Sequence, residues 1–117
     1  MIGRATLGRM PTPTMRHDLH VNPNGRSRRD FPLVVVLQSD AVGGQDRLVA
    51  PLARPVPPLT GPPNRALVNV HHDGAEYIVL LTMMGSILAS RLGKAVGSLR
   101  EYRDDLNRAL DWIIFGW

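Results

Sequence analysis

The chain has 117 residues, no cysteine and a formal net charge of +4 at pH 7. That length supports one domain around one core. The missing thiols exclude a disulfide framework and a thiolate metal site, and no apolar run approaches membrane-spanning length.

Residues 1–14 lack hydrophobic periodicity and hold two prolines. They are expected to be a disordered leader or upstream extension, with the domain running from 15 to 117. They carry Arg4 and Arg9 but no apolar h-region, so they are not a secretory signal. Residues 15–22 alternate well enough for a strand, and Pro23-Asn24-Gly25 signals a turn. Residues 31–38, FPLVVVLQ, form a β-branched run best read as a buried strand. Arg26, Arg28 and Arg29 form the one local basic cluster. Beside a turn, they read as a solvated hairpin rim rather than a phosphate clamp; a nucleic-acid footprint needs basic residues gathered on one face.

Residues 39–46 read as a loop around Gly43-Gly44. Residues 48–52 are a second apolar run, which Pro51 is expected to confine to an edge or to end. Residues 53–64 hold five prolines and one glycine, and read as a surface connection. Residues 66–82 give the clearest hairpin. Val68 and Val70 alternate on one arm, and Tyr77, Val79 and Leu81 on the other. Asp73-Gly74 between them is a two-residue turn that favours positive φ. Residues 83–97 are apolar but interrupted by Gly85, Gly93 and Gly97, which fits either a short strand or a turn of helix.

Residues 98–117 read as one amphipathic helix. Ser98 is the expected N-cap, and Glu101 completes a capping box with it. Leu99, Tyr102, Leu106, Ala109, Leu110 and Ile113 share a face. Asp104 and Arg108, four apart, are expected to pair, and Gly116 suits the helix exit. Phe115 and Trp117 have two readings: they fold back to finish the core, or they anchor a partner. The fold class is mainly β (α+β): a small, strongly bent antiparallel sheet or partly open barrel with a C-terminal helix packed on it.

No catalytic constellation stands out. His17 and His20 are placed on a strand with opposite facings, and adjacent His71 and His72 also diverge, so neither pair chelates locally. The four histidines are read as turn polarity, with a metal site assembled across strands as the alternative. Neither Gly43-Gly44 nor Gly93 and Gly97 has the context of a phosphate loop, and no serine occupies a nucleophile elbow. Asp104-Asp105 lie on a solvent face. Neither a cofactor nor a metal is expected.

Several stretches taken together resemble the CcdB family. They are residues 15–22 followed by Arg28; Leu37-Gln38-Ser39-Asp40, similar to that family's Val-Gln-Ser-Asp; and Arg47-Leu48-Val49-Ala50-Pro51-Leu52. Further on come Thr82-Met83-Met84-Gly85 and Leu92-Gly93, then Asp105-Leu106, Ala109-Leu110 and Gly116. The resemblance covers residues 15–117 and is weakest over 53–64. It implies an SH3-like barrel, a homodimer and no enzymatic activity. It also implies a toxin that binds the A subunit of DNA gyrase and traps the cleaved-DNA complex in the cytoplasm. Its partner would be a CcdA-like antitoxin with a disordered tail, through which alone it would meet DNA and take part in transcription autoregulation. The gyrase-facing residues it implies are Phe115, Gly116 and Trp117 at the tip, with Ser39 and Val42 nearby. The family ends Trp-Gly-Ile where this chain has Phe115-Gly116-Trp117. Two other readings stand beside this one. A MazF/Kid-like endoribonuclease would use Arg26, Arg28 or Arg29 with Asp30 or His72. A dimer with the altered tip would bind an antitoxin but not poison gyrase.

Overall fold

The computed structural model describes residues 14–55 and 64–116. The expected leader, apart from Thr14, most of the proline-rich connection and Trp117 lie outside these residues.

The first hairpin pairs β1 (Asp18–Val21) with β2 (Leu33–Val36), Leu19 opposite Val35. Its long loop is stitched by Asn22, which is buried. The Asn22 amide donates to Ser27 Oγ at 2.9 Å and to the Phe31 carbonyl at 2.8 Å. Arg28 Nε donates to the Asn22 carbonyl at 2.8 Å, so that arginine braces the loop. The run of valines in β2 reflects burial on both faces. Leu33, Val35 and Leu37 join the main core, while Val34 and Val36 join Val49 and Leu92 in a second cluster.

β3 (Asp46–Ala53) is the strand around which the sheet curls. One side pairs with β2, from Leu33–Leu52 to Val36–Val49. The other side changes partner. Asp46 to Val49 pair with β6 (Gly85–Leu88), and Leu52 and Ala53 pair with β5 (Ala75–Leu80). Pro51 neither ends the strand nor sits at an edge, contrary to expectation. Leu37 N–H donates to the Leu48 carbonyl; alternation along the ladder then makes Val34–Pro51 a non-hydrogen-bonded pair. The missing N–H therefore faces the gap where β6 stops and β5 begins, so no ladder bond is lost.

The second hairpin follows the sequence closely. β4 (Leu67–His72) pairs with β5 through a turn in which Asp73 has φ +50° and Gly74 +76°. The stretch 83–97 holds both expected forms. β6 is followed by a single 3₁₀ turn at Ala89–Arg91, and β7 (Gly97–Ser98) pairs with β1. The strand order is β4-β5-β3-β2-β1-β7, with β6 on the far half of β3. All pairings are antiparallel, and the result is a curled half-barrel.

α1 (Arg103–Phe115) closes the open side. It starts later than the capping pattern suggests. Ser98 belongs to β7, and its hydroxyl accepts from Arg100 N–H at 3.2 Å, shaping a 3₁₀ turn at Arg100–Tyr102. Tyr102 is the N-cap residue and makes no side-chain cap. The apolar face is as read: Leu99, Leu106 and Ala109 are buried, with Tyr102, Leu110 and Ile113 packed against the same core. Tyr102 also ties the helix start to the sheet, its hydroxyl accepting from His71 N–H at 3.0 Å. The expected Asp104–Arg108 pair is replaced by Asp105 with Arg108, 3.3 Å apart. Among the described residues, no helix is long and apolar enough to cross a membrane.

Candidate functional site

The loop after β2 presents Ser39 and Val42. Ser39 Oγ accepts from Ala41 N–H at 3.2 Å, and its carbonyl accepts from Val42 N–H at 3.1 Å. This tight turn leaves the Val42 side chain 69% exposed. Gly43 and Gly44, both at positive φ, then return the chain to β3. Gln38 spans the loop from its base: its Nε2 donates to the Gly43 carbonyl at 3.1 Å, and its Oε1 accepts from Leu48 N–H at 3.2 Å. Arg47 Nη1 donates to the Gly44 carbonyl at 2.7 Å. Side chains on both flanking strands thus set the loop's shape in advance.

The second part is the end of α1. Ile113 turns inward, while Ile114 is 64% and Phe115 58% exposed. Gly116 adopts the left-handed conformation at φ +81° and donates to the Trp112 carbonyl at 2.9 Å. A side chain bearing Cβ would be strained there. Phe115 is not among the side chains that build the main core. Trp117 lies outside the described residues.

Arg16 links loop and helix. Its N–H donates to Asp40 Oδ1 at 2.7 Å, and its Nη2 to Asn107 Oδ1 at 2.8 Å. Asn107 lies about 12 Å along the axis before Phe115. The structure therefore joins the loop to the middle of the helix rather than to its tip.

His20 lies on β1 and His71 and His72 on β4, as expected, whereas His17 lies off the strand. His17 precedes β1 at φ +73° and is buried, as is His20. His20 is a strand residue, and His17 sits in the turn that leads into β1. His20 Nδ1 lies 2.8 Å from the Gly93 carbonyl, and the Nε2 atoms of both rings have no hydrogen-bond partner among the described residues. Burial lowers the His17 pKa below its ordinary value, and the guanidinium charges of Arg16, Arg103 and Arg100 lower it further against an opposing effect of Asp40. His71 reaches Glu76 across the hairpin at 3.7 Å. His72 packs against Gly97, where an added Cβ would fall 2.5 Å from its ring. Among the described residues no three His, Asp or Glu side chains gather as a metal site. Of the alternative enzymatic set, Arg28 is committed to the loop of Asn22, while Arg26, Arg29 and Asp30 stand in solvent.

The sequence reading missed Arg16, Gln38 and the burial of His17 and His20. Only Gln38 had a local signal, a long amide beside a Gly-Gly turn. Arg16 finds partners 24 and 91 residues away, beyond any local pattern.

The family model described as CcdB protein matches residues 16–116. No curated protein sequence matches the chain significantly. An endoribonuclease in complex with its cognate antitoxin, from a mycobacterial species, is similar in structure. Its TM-score is 0.67 at 15% identity, covering 91% of this chain and 99% of that one. At that identity the likeness speaks for the fold.

Proposed function

The chain belongs to the CcdB family, and from that premise we propose that it is the toxin of a type II toxin–antitoxin pair. Its target is the A subunit of DNA gyrase, which it holds on cleaved DNA without itself catalysing a reaction. The observation that carries this reading is the exposed end of α1, where Ile114 and Phe115 present more than half of their surface to solvent ahead of a left-handed Gly116. A partner that desolvates such a tip gains strongly from the aromatic ring. Ser39 and Val42, on a loop fixed by Gln38 and Arg47, offer a second contact. The protein acts as a homodimer in the cytoplasm, so that one symmetric toxin faces a symmetric gyrase. A CcdA-like antitoxin neutralises it and carries the complex to DNA, where the pair autoregulates its own transcription.

Induced expression in a normal bacterial host, beside a host whose gyrase resists such toxins, tests this reading. Killing confined to the normal host is the expected result. Killing of both hosts refutes gyrase as the target.

The endoribonuclease reading draws support from the mycobacterial neighbour. Fold alone is a weak warrant for activity, and Arg28 has a structural task. Cleavage of RNA by the purified protein, abolished in Asp30→Asn or His72→Ala, would establish it. The altered ending Phe115-Gly116-Trp117 motivates a third reading, a dimer that binds antitoxin without poisoning gyrase. Antitoxin binding with no killing in either host would support it.

A further inference from the structure

A groove of about 590 Å³ runs between the start of β4 and the flank of α1, lined by Arg65, Leu67, Asn69, Asp105, Arg108 and Trp112. β4 is the last strand of the sheet, so among the described residues its far side has no neighbouring strand. The two-residue turn makes His72–Ala75 a hydrogen-bonded pair. Alternation then points the main-chain groups of Leu67, Asn69 and His71 outward. Two of these are already used: Leu67 N–H donates to the Asn64 carbonyl and His71 N–H to the Tyr102 hydroxyl. Asn69, exposed between them, turns its N–H and carbonyl into the groove.

The groove also carries an unbalanced charge. Arg108 is matched by Asp105 at 3.3 Å. Arg65 lies over the Trp112 ring, 4.7 Å from its centroid, with no carboxylate partner among the described residues.

We propose that this groove receives an extended, acidic segment of the antitoxin, which adds to the edge of β4 at Asn69 and sets a carboxylate against Arg65. The identity of the partner rests on the toxin–antitoxin reading above; the chemistry of the groove does not. Strand addition supplies main-chain hydrogen bonds, and flanking side chains supply selectivity. The Tyr102 hydroxyl at His71 and the Asn64 carbonyl at Leu67 confine any added strand to a short ladder at Asn69, so the charge opposite Arg65 decides the occupant, and pairing with a second copy is the outcome the test below separates.

The test uses the isotope-labelled full chain and two blocked hexapeptides, one alternating valine with glutamate, the other valine with lysine. The glutamate peptide should shift the Asn69 amide and Trp112 indole resonances saturably, and less so in high salt. The lysine peptide should not. Arg65→Ala should weaken binding about threefold to fivefold, as loss of one exposed ion pair would. Asn69→Pro removes the outward donor while sparing the ladder to β5, a place where an edge strand tolerates proline, and should abolish binding. No saturable shift, an equal response to lysine, or Arg65→Ala binding unchanged overturns the proposal. So does conversion of a dimer to a monomer by Asn69→Pro, which would make the groove a self-interface. If Asn69→Pro fails to fold, Arg65→Ala decides. In cells, folded Asn69→Pro should still stop growth but escape rescue by the co-expressed cognate antitoxin. A wild-type chain that never stops growth refutes the toxin reading, while the peptide titration still decides the groove.

Discussion

Single residues join parts of the chain that no local pattern connects. Arg16 reaches Asp40 through its backbone and Asn107 through its guanidinium. Arg16→Ala keeps the first bond and loses the second, so urea unfolding should show a loss of about 1 kcal/mol. His17 beside it gives a pH dependence of definite sign. Its folded pKa lies below its unfolded value, so the unfolded chain binds more protons and stability rises with pH across that window. Stability from this group is intact above the unfolded pKa and is lost as pH falls through the folded one. His17→Asn retains a residue that accepts positive φ and removes the titration. Thermal unfolding of that variant from neutral to mildly acidic pH should have a flatter slope than the parent. Neither role was legible beforehand. The spacing of His17 and His20 assumed a strand through both, whereas His17 turns with positive φ before the strand begins.

Elements were legible where their pattern is local. The α1 face and the Asp73-Gly74 hairpin follow from periodicity and turn chemistry alone. Leu106, fully buried on that face, should cost about 2–5 kcal/mol when changed to alanine, measured by denaturant unfolding. The start of α1 was misread because Ser98 has a competing use: it pairs with Asp18 in β7. Pro51 was misread because its tolerance depends on two strands far along the chain that stop on either side of it. β7 also shows how closely strands approach. A methyl at Gly97 would run into His72, so Gly97→Ala should be destabilising, with much of the loss recovered in the double variant with His72→Ala. Such recovery would appear as non-additivity in a double-mutant cycle.

At the scale of the molecule, the proposed activity separates from stability. The exposed end of α1 adds little to the core, whose deepest members include Leu19, Leu52, Leu81, Leu99 and Leu106. Deleting residues 115–117 should therefore abolish growth inhibition while leaving the melting temperature within a few degrees of the parent. Retained inhibition would place the active surface elsewhere. The half-barrel was legible in outline, since alternating strands with turn signals and one amphipathic helix admit few arrangements. The proposed partner-facing surface rests on resemblance, because exposed side chains carry no periodic signature.

The outer edge of β1 is covered only by residues late in the chain, with Leu19 and Asp18 against Gly97 and Ser98 and the His17 carbonyl accepting from Leu99 N–H. A nascent chain therefore carries β1 with one edge open for most of its synthesis. Long-range closure of this kind is slow, and an open strand edge invites pairing with other chains. The tip of α1 emerges later still, after the strand that covers β1. A ribosome that stalls before residue 97 thus releases a half-barrel with β1 uncovered and without the proposed partner-binding tip, a product prone to aggregate.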